Sequence, residues 1–136
     1  MFHSRGKVRV FAIGDTMAFL CDGERVIATW PYTSPDQFDQ SPILVSTNEH
    51  YNDPLAKGVA ACNFEVEWST HVLVEPRLLC VTDALGLWLM SQGNDEPSRI
   101  TTLLNAESAE AFRDLVLAER NAGRMRRDDT TMLALW

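Results

Sequence analysis

The sequence predicts an α+β fold with antiparallel strand pairing, on three observations. Apolar residues alternate with period two early in the chain, they recur at helical spacing late in it, and an Asp22-Gly23 dipeptide separates two β-rich runs. Strands that come first and helices that come later fit an α+β order and not the βαβ alternation of a parallel sheet.

The first strand carries Val8, Val10 and Ala12 in alternation with Arg9 and Phe11. Ala18-Phe19-Leu20-Cys21 then runs through Asp22-Gly23 into Arg25-Val26-Ile27-Ala28, and Asp-Gly between such runs is a strong hairpin signal because the turn needs positive φ. Residues 30 to 62 are rich in loop signals, with Pro31, Pro35, Pro42 and Pro54. Phe64, Val66 and Trp68 alternate with Glu65, Glu67 and Ser69, a strand with one wet face.

Leu78 to Val81 is a short buried strand that turns directly into a helix from Asp83 to about Gln92, closed by Gly93. Ala111, Phe112, Leu115 and Val116 place an apolar stripe on a second helix, over about 107 to 121, with Asn105 or Ser108 as its cap and Gly123 as its stop. A terminal strand follows from about Thr130 to Trp136. The expected arrangement is an antiparallel sheet carrying residues 8 to 28, 63 to 82 and 129 to 135, with both helices on one face.

Length and composition fit a single domain over 1–136: 46% hydrophobic residues are enough for one core, and no repeat, low-complexity segment or linker divides the chain. A net charge of −7 and a pI near 4.8 argue against a nucleic-acid surface, where Lys and Arg must neutralise phosphates. Cys21, Cys62 and Cys80 are odd in number and lack a Cys-x-x-Cys pair, so they read as small buried hydrophobes. Arg9 and Asp15 interrupt the N-terminal apolar stretch, and no run approaches the ~18 residues of a spanning helix, so no membrane partner and a cytoplasmic location are expected.

The chemistry-bearing candidates are aspartates at strand boundaries. Asp83 ends the run Leu78-Leu79-Cys80-Val81-Thr82, and Asp128-Asp129 lies in a charged turn that feeds the last strand. Local chemistry offers each a structural role: Asp83 can cap the helix that follows it, and Asp128 and Asp129 can make a turn. Oxygen-only ligands gathered from distant segments would instead suit a hard divalent cation such as Mg²⁺ or Mn²⁺. His3, His50 and His71 are scattered and weaker candidates; His50-Tyr51-Asn52-Asp53 reads as a turn, and His71 follows a strand pattern. Arg120, Arg124, Arg126 and Arg127 flank the end of the last helix, where cations complement its dipole; the alternative is a phosphate-recruiting role, since Arg126 and Arg127 adjoin Asp128.

Taken together, Thr82-Asp83-Ala84-Leu85-Gly86-Leu87-Trp88 and Asp128-Asp129-Thr130-Thr131 resemble the late motifs of the metal-dependent, type 2C Ser/Thr protein phosphatases. Val8 to Thr16, with its Gly14-Asp15-Thr16 turn, followed by Phe19-Leu20, is similar to that family's mid-chain strand, Gly-Asp-Ser turn and second strand. Trp30-Pro31-Tyr32, Phe38 and Ser41-Pro42-Ile43-Leu44 resemble a bacterial branch, so the likeness spans nearly all of the chain.

The resemblance implies half of an αββα fold, an antiparallel β-sandwich flanked by helices. It makes Asp83 and Asp128 ligands of Mg²⁺ or Mn²⁺, with Asp15 and Asp129 in an outer position or on an additional metal. In the family two such ions activate a bridging water that attacks a phosphorylated protein substrate, and no side-chain nucleophile is needed.

The family's first-half Asp-Gly-x-Gly-Gly, whose Asp bridges the metals, is absent, as is the upstream Arg that holds the phosphate. Asp22-Gly23-Glu24-Arg25 is a hairpin turn instead. The chain therefore looks like a C-terminal half, inactive or weakly active alone, and the alternative is a noncatalytic phosphatase-like interaction module. Unpaired sheet edges and apolar surface make self-association an expectation under either reading.

Overall fold

A computed structural model describes residues 2–4, 6–39, 64–92 and 98–136. Pro42, Pro54, the His50-Tyr51-Asn52-Asp53 turn, Cys62 and the Gly93 helix stop lie outside the described residues.

The described chain is α+β, with two antiparallel sheets and three α-helices. Among the described residues seven strands are formed: β1 (Phe2–Ser4), β2 (Lys7–Phe11), β3 (Thr16–Asp22), β4 (Arg25–Trp30), β5 (Glu65–Ser69), β6 (Pro76–Thr82) and β7 (Met132–Leu135). The helices are α1 (Asp83–Met90), α2 (Arg99–Leu104) and α3 (Ala109–Asn121), with a short 3₁₀ turn at Pro35–Asp39. The single sheet expected from the sequence divides in two: β1-β2-β5 form one sheet and β4-β3-β6-β7 the other. The break falls between β2 and β3, where Gly14 takes a φ of 91° that a side chain would resist. Period-two alternation looks the same in either sheet, so it could not show where the chain changes layer.

The two sheets pack face to face. Val8, Val10, Val66 and Trp68 of the three-stranded sheet meet Ala18, Leu78, Cys80 and Leu135 of the four-stranded one. The opposite face of the larger sheet presents Met17, Phe19, Cys21, Leu79 and Val81 to Leu85, Trp88 and Leu89 of α1, Ile100 and Leu103 of α2 and Val116 of α3. This second cluster is the main core, and it fixes α1: at Gly86 a Cβ would stand 2.8 Å from the Met17 sulfur. The outer face of the small sheet is ionic, with Lys7 on Glu67 at 2.7 Å and Arg9 on Glu65 at 2.8 Å. Such a face is stable in water, so the smaller sheet does not require a helical layer over it.

Local signals held where a side chain had one job. The Asp22-Gly23 hairpin forms with Gly23 at a φ of 60°. Ser108, not Asn105, caps α3, accepting the Ala111 N–H at 3.1 Å, and Asn105 instead ends α2. His71 lies in an exposed turn beyond β5 and not in a strand. No non-glycine residue among those described has positive φ, so Ala84, the second residue of α1, sits without backbone strain.

Candidate functional site

Antiparallel register brings three loops to one end of the four-stranded sheet. β3 begins at Thr16 opposite Thr82, where β6 ends, and β7 begins at Met132 opposite Val81. The Gly14-Asp15 turn, the Thr82-Asp83 junction and the Asp128-Asp129 turn therefore adjoin one another. The Asp22-Gly23 hairpin occupies the other end, where Asp22 Oδ1 accepts the N–H groups of Val74 and Glu75.

Thr82 joins two of these loops. It occupies the N-cap position of α1 but makes no side-chain cap. Its hydroxyl donates to the Asp129 carbonyl at 3.0 Å and accepts the Thr131 N–H at 3.1 Å, while its own N–H donates to the Thr131 carbonyl at 3.2 Å. The reading of Asp83 as the helix cap is thus corrected: Thr82 holds that position, and Asp83 is the first helical residue, where a carboxylate complements the helix dipole. Asp83 is half-buried, and its Oδ2 lies 3.9 Å from Nη1 of Arg126.

The Asp128 turn is held from α3. Arg120, in the last turn of that helix, donates from Nη2 to the Asp128 carbonyl and to Thr130 Oγ1. Thr130 Oγ1 donates to the same carbonyl at 3.0 Å, and Asp128 Oδ1 accepts the N–H of Asp129 at 2.8 Å. The plain turn reading of Asp128 therefore describes its local bonding correctly. Asp15 and Asp129 are exposed at this end.

Arg124, of the same run, also has structural work. Arg124 donates to both carboxylate oxygens of Glu119, at 2.8 and 2.6 Å, and the Trp88 indole donates to Glu119 at 2.9 Å. These bonds, the Arg124 pair first, hold the Glu119 carboxyl below its ordinary value. A buried arginine, Arg99, donates to the Trp88 carbonyl and stacks on its ring, so α1 is fastened to both other helices.

The donor type at this end suits Mg²⁺ or Mn²⁺, but the arrangement does not complete a site. Among the described residues no three His, Cys, Asp or Glu side chains gather so that they could hold a metal ion. One carboxylate faces a guanidinium and the other accepts a backbone N–H. A Mg²⁺ or Mn²⁺ ion held by one or two carboxylates keeps most of its water, so no catalytic step follows from these residues alone.

Sequence reasoning missed Thr82, Arg120 and Arg126 as the groups that organise this end. Thr82 stands inside the segment that drew attention to Asp83, and the arginines stand within eight residues of Asp128, so sequence proximity was the available signal. Among the described residues no helix is long and apolar enough to cross a membrane. No protein-family model, curated protein or solved structure matches the chain.

Proposed function

We propose that this chain is a phosphatase-like domain, similar to the second half of a metal-dependent type 2C Ser/Thr protein phosphatase, and that it does not hydrolyse phosphomonoesters alone. The observation that supports this reading most is the shared end of the four-stranded sheet. Residues far apart in sequence, Asp15, Asp83 and Asp128, are delivered there by strand register, in the chain order that the type 2C motifs require. A phosphorylated protein would be the substrate of the completed site, and Mg²⁺ or Mn²⁺ would enter only with further carboxylates from outside this chain. The cytoplasm is the proposed location.

The test begins in the coding region. An in-frame Asp-Gly-x-Gly-Gly upstream of Met1, together with Mn²⁺-dependent release of phosphate from p-nitrophenyl phosphate by the extended protein, would support the reading if Asp83→Asn and Asp128→Asn each abolish turnover. An extended protein whose turnover ignores both substitutions would remove it.

A noncatalytic interaction module is the second reading, and the contacts of the Asp83 carboxylate with Arg126 and of the Asp128 carboxylate with the Asp129 N–H favour it. A domain that kept its core while satisfying its aspartates internally would have no need of metal. Self-association would then use the edges of the larger sheet, β4 and β7, where Val26, Ile27 and Leu133 are exposed.

A further inference from the structure

The space between the two sheets is incompletely filled at the end away from Asp83 and Asp128. The β2–β5 ladder closes there with the pair Lys7–Ser69, and Lys7 faces outward to Glu67. Val8 and Trp68, one pair earlier, are therefore the last side chains that this ladder turns toward the larger sheet. Across from them, Leu20 of β3 lies opposite Leu78 of β6, and Leu78 lies opposite Leu135 of β7, so three leucines form a row over neighbouring strands. Val8 covers only part of that row. What is left is a cavity of about 280 Å³, walled by Val8 and the three leucines and completed by Arg77 and Trp136.

We propose that this cavity binds one small, neutral aromatic molecule, of the size of two fused rings. The volume sets the size, since an apolar cavity of about 150 Å³ accommodates benzene and this one is nearly twice as large. The aliphatic walls set the polarity, because a charged ligand would lose its hydration there without a partner. Arg77 does not reverse that preference: its guanidinium already carries a carboxylate, with Nη2 at 2.7 Å from Glu75 Oε1. Trp136 sets the shape. Its side chain is 81% exposed, and the Arg77 guanidinium stands 5.8 Å from the centroid of its ring. A flat ligand seated on the leucines can stack on the remaining surface of that indole and remove it from water. Thr70, the one hydroxyl-bearing residue of the lining, offers a partner for a single ring N–H or O–H. The site lies at the Asp22-Gly23 end of the larger sheet and does not depend on the phosphatase-like reading.

The test is titration of the purified chain with 6-fluoroindole, followed by the fluorine resonance of the ligand, with melting temperature as a second readout. We expect saturable one-to-one binding that raises the melting temperature. Val8→Phe fills the cavity and should abolish binding. Trp136→Ala, at an exposed position that folding can spare, should weaken binding by about fivefold, the scale of one aromatic contact. Leu117→Ala removes exposed apolar surface on α3 and should change binding by less than about twofold, as a distant site does. Indole-3-acetate, which adds a carboxylate to the same rings, should compete more weakly than indole.

Absence of saturable binding by the wild type would overturn the proposal. A folded Val8→Phe protein that binds as the wild type does would also overturn it, and if that variant does not fold, unchanged binding by Trp136→Ala would do so. Equal losses from Trp136→Ala and Leu117→Ala would mean general adhesion to apolar surface and no site. Tighter binding of indole-3-acetate than of indole would overturn the assignment of a neutral ligand.

Discussion

Thr82 and Asp129 are joined by a hydrogen bond of 3.0 Å, from the hydroxyl that ends β6 to the carbonyl of the turn before β7. The same oxygen accepts the Thr131 N–H, so one side chain satisfies two backbone groups of a loop that is 47 residues away in sequence. The helix that follows is left without its usual side-chain cap, which means that the hydroxyl serves the loop in preference to the helix.

Thr82→Val keeps the shape of the side chain and removes both bonds. It should destabilise the domain by about 1–2 kcal/mol, because the Thr131 N–H loses its partner. Thr82→Ser restores the hydroxyl and should recover most of that loss. Urea denaturation of the three proteins checks both expectations, and a Val variant as stable as wild type would show that the tie is incidental.

Glu119 provides a pH-dependent contribution whose sign is set by its partners. Arg124 foremost, and then the Trp88 indole, lower its carboxyl below the ordinary 4.5. A carboxyl lowered in the folded state stabilises fully above its unfolded value, and that contribution is lost as pH falls through the folded value. Glu119→Gln should cost about 1–2 kcal/mol at pH 7, the lower part of the range for a hydrogen bond to a charged group, because the Arg124 side chain is half exposed. The gap between wild type and variant should close as the pH is taken below 4.5; a gap constant across that window would contradict the assignment.

Leu85 is fully buried where α1 rests on the larger sheet. Leu85→Ala leaves a cavity beneath the helix that carries Asp83, and it should cost about 3 kcal/mol. Thermal or urea unfolding measures this directly, and a loss below about 1 kcal/mol would mean that α1 can collapse onto the sheet.

Cys21 is buried near the end of β3, and burial pushes its thiol up to about 11. Since the thiolate is the reactive form, iodoacetamide at pH 8 should leave Cys21 unmodified in the folded protein and alkylate it in urea. Peptide mapping by mass spectrometry distinguishes the two. Rapid native alkylation at this residue would show that β3 opens readily.

The sequence showed most where a residue type had one local consequence. The Asp22-Gly23 turn, the β5 alternation of Val66 and Trp68 with charged residues, and the start of α1 at Asp83 all follow from short-range sterics and burial. The short helix α2 was missed, although Ile100, Leu103 and Leu104 have helical spacing; six residues, three of them the β-branched Ile100, Thr101 and Thr102, give little helix signal without the core that receives Ile100 and Leu103. At the candidate site the aspartates could be found from their segments, but the groups that hold them could not. The contacts from Arg126 to Asp83 and from Thr82 to Asp129 span more than forty residues, and they exist only because β3, β6 and β7 are in register.

Whether these residues make an enzyme by themselves is tested most directly by phosphate release. The 136-residue chain, incubated with p-nitrophenyl phosphate and millimolar Mn²⁺, is expected to show no turnover above buffer, because two carboxylates cannot hold and dehydrate the ions that activate water. Steady turnover that Asp83→Asn abolishes would contradict this, and would mean that the site is completed by another route, such as a second copy of the chain.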